Sequence, residues 1–569
     1  MYLDFLVEIP TVKGKITRRK KGGTTYISYE YGRLYDPEKQ YNTPLRSTIG
    51  KQSATDDTKM WPNQNFLQYF PDLELPQEKG LAQKSSCLKV GSFLIIRKII
   101  AGYCLDAMMD RIIGADSGLF LDLAAYTIIC ENNAGQYYPD FAYNHPLFTK
   151  EMRMYSDSKV SDFLQSVTTD QSVAFLNEWN EKRNHREKIY ISYDSTNKNC
   201  QAGDIEMLEY GKPKDDKGVR IFNYAIAYDI DNREPLFYEE YPGSIVDVSQ
   251  LQYMLEKVKA YGYRKVGFIL DRGYFSRPNI QYMDSCGYDF VIMVKGMGHL
   301  VSALITEKQG TFEKTRSCSI GEYHVYGTTV RGQLYEGDTC DRYFHLFHSI
   351  SKEHAEREAL EARIEHMSAL LKKNEGKEVS FGAAYTEYFT LYYNEDGKKF
   401  LFAKERADVI EREIGLCGYF SIVTSARMTA RDAIALYKSR DASEKLFRGD
   451  KSYLGNKSLR VYSDESAAAK IFIEFVALII RSKIYTSLKD EMLKNDKKAN
   501  FMTVPAALKE LDKIEMVRQF DGVYRLDHAV TATQKAILKA FDVDEPYIRT
   551  KAKALGEEIA NTIKKDKAE

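Results

Sequence analysis

The order of apolar runs between residues 187 and 299 constrains the fold of this 569-residue chain more than any other feature. KIYISYDST, VRIFNYAIAYDI and PLFYEEYPG have the length and the aromatic or β-branched content of strands. VSQLQYMLEKVKAYGY and RPNIQYMDSCGY have helical spacing, and they alternate with two further strand-like runs, RKVGFILDRG and DFVIMVKG. The order β-β-β-α-β-α-β predicts a mixed sheet flanked by helices, which is an α/β fold.

The character of the chain changes several times around this segment. Alternating aromatic and polar residues dominate the start, helical spacing follows, and a second strand-rich region with one long charged helix comes after the mixed sheet. We therefore divide the chain into a basic β-hairpin-rich module (1–74), a helical domain (75–186), a first core part (187–299), a β-rich insertion with one long helix (300–415), a second core part (416–484) and a helical C-terminal region (485–569).

Composition excludes few classes of protein. Eighty-one basic and 81 acidic residues balance, which argues neither for nor against a nucleic-acid partner. The eight cysteines show no C-x-x-C spacing, so neither a disulfide scaffold nor a zinc site is predicted. The N-terminus lacks the basic start of a signal peptide, and charged residues interrupt the longest apolar runs before they reach membrane-spanning length. We expect a cytoplasmic protein without membrane contact.

One stretch departs from this balance of charge. KGKITRRKK, from Lys13 to Lys21, holds six cations and no acid. Such a run is typical of a solvated hairpin tip and equally of an arm that binds phosphates. The sequence leaves both interpretations open.

Three acidic residues stand out by position. Asp194 ends the first predicted strand of the mixed sheet, Asp271 ends the strand after its helix, and Glu444 lies on a late helix. Strand ends are where functional groups emerge from such sheets, so the three carboxylates can converge if the late helix packs nearby. Carboxylates without histidine or cysteine partners favour Mg²⁺ or Mn²⁺. Because the chain has so many acids, some also end strands by chance.

The late helix carries the stretch YKSRDASEKLFRGDK. Thr429 is predicted to cap the helix, and spacing places Tyr437, Arg440 and Glu444 on one face. Lys451 follows at longer range, beyond a glycine that we expect to end or bend the helix. An acid beside cations and a tyrosine suits a site that holds a metal ion and phosphates. The alternative is a solvated face on which Arg440 and Glu444 form only an i,i+4 pair.

The spacing Y-x2-R-x3-E-x6-K resembles the signature of insertion-sequence DDE transposases of the Y-R-E-K type. YDST at Asp194 resembles the strand of the first aspartate of that family, and ILDRGYFS at Asp271 resembles the second. The long gap between Asp271 and Glu444 is similar to that of members with a β-rich insertion. The resemblance covers residues from about 187 to 484.

The resemblance implies an RNase H-like catalytic core that nicks DNA at transposon ends and transfers the 3′-OH into target DNA. Asp194, Asp271 and Glu444 would each act as catalytic metal ligands for two Mg²⁺ ions, for which Mn²⁺ would substitute. Arg272 would reach phosphate or, equally, pair with a carboxylate. The residues implied to bind DNA are Tyr437, Arg440, Lys451, Lys445, Arg448 and Arg272.

The implied partners are double-stranded DNA with terminal inverted repeats, target DNA and a second copy of the chain in a homodimeric DNA complex. The helical domain and the basic N-terminus would recognise the DNA ends, the C-terminal helices are a candidate for the dimer contact, and the protein would associate with the nucleoid. Two alternatives remain at this point. One is a catalytically inactive or domesticated DNA-binding relative that acts as a repressor, and the other is an RNase H-like nuclease without strand transfer.

Overall fold

The computed structural model describes residues 2–3, 5–37, 40–71, 84–183, 185–200, 205–211, 218–294, 298–454, 457–495 and 502–566, without the side chains of residues 247, 448, 452, 453 and 562–566. The chain divides into two compact units. The first unit combines Met1–Phe175 with Asp450–Glu569, and the second is Leu176–Gly449.

The first unit begins with an antiparallel sheet of strand order β1-β5-β4-β3-β2. Alternating apolar residues of these strands form its core together with the short helix α1, with Ile27, Ile49, Met60 and Phe66 fully buried. The elements are β1 (Val7–Glu8), β2 (Ile16–Lys21), β3 (Thr24–Asp36), β4 (Tyr41–Gln52), β5 (Lys59–Pro62) and α1 (Gln64–Tyr69).

Helices follow, as the helical spacing predicts. The apolar faces of α2 and α4 are buried almost throughout, which explains their long runs of apolar residues. The elements are β6 (Cys87–Lys89), α2 (Gly91–Gly102), α3 (Leu105–Ile112), α4 (Ser117–Cys130), α5 (Tyr138–Asn144), α6 (Asp157–Ser166) and α7 (Thr169–Glu181).

The second unit contains the mixed sheet. Its first elements are β7 (Ile189–Asn199), β8 (Ile221–Asp229), β9 (Glu234–Pro242), α8 (Asp247–Ala260), β10 (Val266–Leu270), α9 (Arg277–Ser285) and β11 (Asp289–Met293). This confirms the predicted order β-β-β-α-β-α-β. Strands lie in the order β9-β8-β7-β10-β11, with β8 antiparallel to its neighbours and β7, β10 and β11 parallel. That arrangement is an RNase H-like fold.

The predicted insertion is partly built into this sheet. Strand β14 pairs with β17, which pairs with β11, and the sheet thereby reaches nine strands in the order β12-β13-β14-β17-β11-β10-β7-β8-β9. Only the hairpin β15–β16 forms a sheet of its own. The elements are α10 (His299–Lys308), β12 (Ser319–Ile320), β13 (Val325–Gly332), β14 (Arg342–His348), α11 (Ile350–Lys373), α12 (Ala383–Tyr388), β15 (Phe389–Tyr393), β16 (Phe400–Glu405), α13 (Ala407–Leu416) and β17 (Tyr419–Thr424).

A buried ion pair fixes the insertion to the core of this unit. The Arg342 side chain on β14 is 2% exposed and binds Asp338 before the strand and Asp284 on α9. The two carboxylates raise the pKa of Arg342 against the opposing effect of burial. Because a buried charge is costly without its partner, this ion pair holds strand β14 in a fixed position relative to helix α9.

Two helices, α14 (Ala430–Lys438) and α15 (Asp441–Arg448), end the second unit. The first unit resumes with α16, whose buried apolar stretch packs against α4 and α6. It also contains β18, which pairs with β19 on one side and with β6 on the other. Among the described helices, none combines the length and apolar character that crossing a membrane requires. The elements are α16 (Asp464–Lys494), α17 (Val504–Leu511), β18 (Glu515–Arg518), β19 (Tyr524–Leu526), α18 (Ala532–Lys539) and α19 (Glu545–Asp566).

Candidate active site

The register of β7 and β10 places two aspartates side by side. These strands are parallel, and Tyr193 on β7 pairs with Leu270 on β10. The next residues are Asp194 and Asp271, so the two aspartates lie at the same level. Asp271 follows the end of β10, as predicted, but the expectation that Asp194 ends its strand is wrong: β7 continues to Asn199, because its pairing with β8 extends beyond Asp194. Neighbouring strands lie about 4.8 Å apart, which brings the two carboxylates into one site.

Each aspartate is oriented by the backbone that follows it. The Asp194 carboxylate accepts a hydrogen bond from the backbone N–H of Ser195 at 2.8 Å, and Asp271 accepts one from the N–H of Arg272 at 2.7 Å. Asp271 thereby caps a single 3₁₀ turn, Arg272–Tyr274, that begins where β10 ends. These local bonds turn one oxygen of each carboxylate toward its own chain.

The helical segment with the glutamate consists of two helices rather than one. Thr429 caps α14 by accepting from the N–H of Asp432, which confirms the predicted start. Ser439 and Arg440 keep helical backbone angles between α14 and α15, but the N–H of Arg440 bonds three residues back to Tyr437. This tightened turn still leaves Tyr437, Arg440 and Glu444 on one side of the segment.

The Arg440 guanidinium joins these residues to the aspartates. Its Nη1 lies 3.3 Å from Oδ1 of Asp271, and its Nη2 lies 2.5 Å from Oε1 of Glu444. The Tyr437 hydroxyl donates to the same Asp271 oxygen at 3.5 Å, and the Arg440 guanidinium lies 5.5 Å from the centre of the Tyr437 ring. The predicted i,i+4 pair of Arg440 and Glu444 therefore forms, but as part of a larger cluster.

Electrostatics favour a charged arginine and a neutral tyrosine in this cluster. Burial raises the pKa of Tyr437 to about 12; Arg440 lowers that pKa, and Asp271 raises it further. Burial opposes the charge of Arg440, but Tyr437, Asp271, Asp194 and Glu444 together raise its pKa. At neutral pH the site thus presents a cation and a hydroxyl donor to its carboxylates.

A pair of buried serines positions the glutamate helix on the sheet. Ser192 on β7 and Ser443 on α15 are both fully buried, and their hydroxyls lie 2.8 Å apart. Because Ser443 donates to the carbonyl of Arg440, Ser192 is the donor between the two serines. Ser192 precedes Asp194 by two residues and Ser443 precedes Glu444 by one, so this contact links both acids. No sequence motif joins two serines so far apart, so the sequence does not predict this contact.

The other predicted contact residues differ in their placement. Arg272 and Lys445 are exposed, and the Arg272 side chain makes no ion pair with any described residue. Arg448 ends α15, but its side chain lies outside the described residues. Lys451 lies in a π-helical turn, Gly449–Tyr453, and falls in the other unit. The roles of all four in DNA binding stay predictions.

The same turn corrects one expectation from the sequence. Asp441 and Asp450 have the appearance of ordinary surface charges in the stretch YKSRDASEKLFRGDK, and Asp441 is indeed exposed. Asp450 is fully buried. The α-helix ends before Gly449, but the backbone continues to coil through the π-helical turn and carries Asp450 inward.

The donor set fits a hard divalent cation. Among the described residues, no three Asp, Glu, His or Cys side chains are close enough to hold a metal ion as they stand. Asp271 and Glu444 share the Arg440 guanidinium instead. The acidic groups around Arg440 offer oxygen donors alone, which is the ligand type of Mg²⁺ and Mn²⁺. A divalent ion between these carboxylates would carry the positive charge that Arg440 now supplies.

The fold and the site together define an RNase H-like protein, with one aspartate inside a strand of the sheet and a second aspartate at the end of the parallel strand beside it. The family model described as "Transposase DDE domain" matches residues 187–480, about half of the chain. The chain belongs to this transposase family.

Two solved structures of transposases are similar to the chain only remotely. The piggyBac transposase synaptic complex with hairpin DNA aligns with 72% of this chain and 65% of that chain, at 10% identity and a TM-score of 0.31. The Mos1 transposase paired-end complex with left transposon end aligns with 24% and 50%, at 15% identity and a TM-score of 0.14. Scores this low support no conclusion on structure or function. No curated protein matches the chain.

We expect the serine pair to be energetically coupled. Ser192→Ala and Ser443→Ala each leave a buried hydroxyl with one partner fewer, which costs about 1 kcal/mol. In a double-mutant cycle measured by urea unfolding, the coupling free energy should be about 0.5–1.5 kcal/mol. Additive effects within about 0.3 kcal/mol would show that the contact does not fix the helix.

Proposed function

We propose that this chain is a DNA transposase that cuts at the ends of an insertion sequence and joins the 3′-OH to target DNA. The observation that carries the proposal is the grouping of three acidic residues around Arg440, with two aspartates at the same level of parallel strands and Glu444 on the helix above them. Membership of the transposase DDE-domain family supports the class of reaction.

The three carboxylates would hold the metal ions, and the remaining groups would hold DNA. Asp194, Asp271 and Glu444 are the proposed ligands of two Mg²⁺ ions, with Mn²⁺ as a substitute. Bound there, such ions activate the attacking oxygen and stabilise the leaving oxygen of a phosphodiester. The Tyr437 hydroxyl keeps its proton at physiological pH, as tyrosines ordinarily do, and is a donor for a phosphate oxygen next to the cut.

Arg440 would exchange one anionic partner for another. In this structure its guanidinium forms ion pairs with both Asp271 and Glu444. Metal ions bound to the same carboxylates would compete with the guanidinium for them. The guanidinium would then be available to a DNA phosphate, because arginine can bind a phosphate through two parallel hydrogen bonds. Arg440 would therefore bind carboxylates in the metal-free protein and a phosphate in the complex with metal ions and DNA.

The remaining contacts follow from exposure and from the resemblance. Lys445 and Arg272 are exposed close to Glu444 and Asp271 in the sequence, and we assign them, with Arg448 and Lys451, to the DNA backbone. The proposed partners are duplex DNA with terminal inverted repeats, target DNA and a second copy of this chain. We assign end recognition to the helical region 75–186 and the dimer contact to the C-terminal helices.

Replacing Glu444 tests the reaction directly. Purified protein is incubated with Mg²⁺ and a labelled duplex that carries the end of its own element, and cut and joined products are separated on a gel. Glu444→Gln should reduce both products at least about a hundredfold, because losing a group that stabilises transition-state charge costs about 3 kcal/mol or more.

Asp441→Asn is the matched control. It removes one exposed carboxylate from the same helix, so both products should stay within about twofold of the unmodified protein. Cutting without joining would indicate a nuclease. Binding without cutting would indicate an inactive relative, and either result would contradict the proposal.

Replacing Arg440 tests the exchange of partners. Arg440→Gln frees Asp271 and Glu444 from their ion pairs, so the protein without DNA should bind Mn²⁺ about five- to tenfold more tightly in a calorimetric titration. DNA cutting should nevertheless fall, because the phosphate ligand is lost. Arg440→Lys keeps the positive charge and should bind Mn²⁺ like the original protein. Unchanged affinity in Arg440→Gln would show that the guanidinium does not compete with the ion.

A further inference from the structure

The N-terminal sheet carries a group of cations that the proposed active site does not use. Strand β2 is at the edge of this sheet, next to β3 alone. Its last four residues are Arg18, Arg19, Lys20 and Lys21, and all four side chains are exposed. None of them forms an ion pair with a residue in the described part of the chain. Four neighbouring, unpaired cations repel one another, and an anionic partner would relieve that repulsion.

Register assigns these cations to two faces. Arg18 pairs across the strands with Ile27, which belongs to the sheet's core, so Arg18 and Lys20 lie at the rim of the core face. Arg19 and Lys21 lie on the opposite face.

The opposite face continues the basic character across the sheet. Arg19 pairs with Tyr26, Tyr26 with Lys51, and Lys51 with Trp61, so these four residues form one row over four strands. Arg19 is exposed and the other three are partly exposed. The row mixes cations and aromatic rings, and such a face suits a nucleic acid in either of two ways: through the phosphates or through stacked bases.

Packing of the rings favours the phosphates. Tyr26 packs against Tyr2, with ring centres 6.4 Å apart, and Lys51 lies 5.4 Å from the centre of the Tyr2 ring. The Tyr26 ring therefore packs against Tyr2, whose ring also lies beside a cation, instead of offering a flat, open surface to bases.

Spacing agrees with a DNA backbone. Alternate residues of a strand lie about 6.6–6.8 Å apart, as Arg18 and Lys20 or Arg19 and Lys21 do. Phosphates of one DNA strand rise about 3.4 Å along the axis per nucleotide and also rotate about it, so successive phosphates lie about 7 Å apart, which matches that distance.

From the charge, the register and the ring packing we infer that β2 and the adjoining row bind the phosphate backbone of duplex DNA without reading its sequence. The inference deepens the proposed function and rests on it only in taking DNA as the substrate. The turn that leads from β2 into β3 consists of Gly22 and Gly23, which both have positive φ. A Cβ on either glycine would meet open space, so this turn leaves the cations of β2 room to extend outward. Such a surface would supply affinity for any DNA, target DNA included.

Edge strands also carry charge for another reason, since lysines discourage pairing with the edge of another molecule. The two explanations differ in their consequences. A protective role affects self-association, and a DNA-binding role affects the salt dependence of DNA affinity.

The test measures binding of a labelled 30-bp duplex of arbitrary sequence by fluorescence anisotropy at several NaCl concentrations. The full chain carries Glu444→Gln, so binding is measured apart from any reaction. Adding Arg18→Gln, Arg19→Gln, Lys20→Gln and Lys21→Gln should raise Kd at least about tenfold at 0.1 M salt. The slope of log K against log salt should become shallower by about 2 to 4, close to 0.9 for each lost phosphate contact.

A matched variant removes four exposed lysines from the insertion: Lys372→Gln, Lys373→Gln, Lys398→Gln and Lys404→Gln. Both variants lose the same net charge, so only the position of the cations distinguishes them. Because the inference places DNA on β2 and not on the insertion, the Kd of this matched variant should stay within about twofold of the parent. Two double variants separate the faces of the sheet. Arg19→Gln with Lys21→Gln should weaken DNA binding more than Arg18→Gln with Lys20→Gln, because Arg19 and Lys21 share their face with Lys51.

Three results would overturn the inference. Equal losses of DNA affinity in the β2 variant and the insertion variant would show that only net charge matters. If the β2 variant kept its DNA affinity but self-associated in light scattering, its cations would instead protect the edge strand. Tighter binding of a single strand, lost in Tyr26→Ala, would indicate base stacking. None of these binding measurements requires catalysis. A negative result in the DNA-cutting experiment therefore does not affect the interpretation of the binding data, and a negative binding result does not affect the interpretation of DNA cutting.

Discussion

The parallel pairing of β7 with β10 is the constraint on which the site depends. Its register sets Tyr193 opposite Leu270 and therefore places Asp194, inside β7, at the same level as Asp271, which follows β10. A shift of one residue would turn one of the two carboxylates to the other face of the sheet, since side chains alternate along a strand. Both strands are fully or largely buried, so the hydrophobic pattern strongly specifies that register.

Arg440 solves the electrostatic problem that this arrangement creates. Carboxylates held close together repel one another, and the site lies at the edge of a buried sheet where water screens less. The guanidinium, 14% exposed, stands against Asp271 and Glu444, which are 40% and 49% exposed. The guanidinium thereby offsets part of the negative charge of the three carboxylates, and the proposed metal ions and DNA phosphates would redistribute the charges around it.

Much of the fold and of the site followed from short-range patterns. The alternation of strands and helices predicted the β-β-β-α-β-α-β order, and helical spacing predicted that Tyr437, Arg440 and Glu444 share a face. Features that depend on long-range pairing did not follow. No local signal shows that β14 pairs with β17 and extends the core sheet, or that Ser192 meets Ser443. The tightened turn at Ser439 and Arg440 and the burial of Asp450 also depend on packing, which periodicity does not encode.

The central claim is that Asp194, Asp271 and Glu444 share divalent ions. Anomalous scattering from Mn²⁺ in crystals of the protein bound to its DNA end tests it most directly. The account predicts anomalous peaks with oxygens of all three carboxylates among the ligands, at about 2.1 Å, and the Arg440 guanidinium turned to a phosphate. A Mn²⁺ ion bound elsewhere, or Glu444 still paired with Arg440 beside an ion held by other ligands, would contradict it.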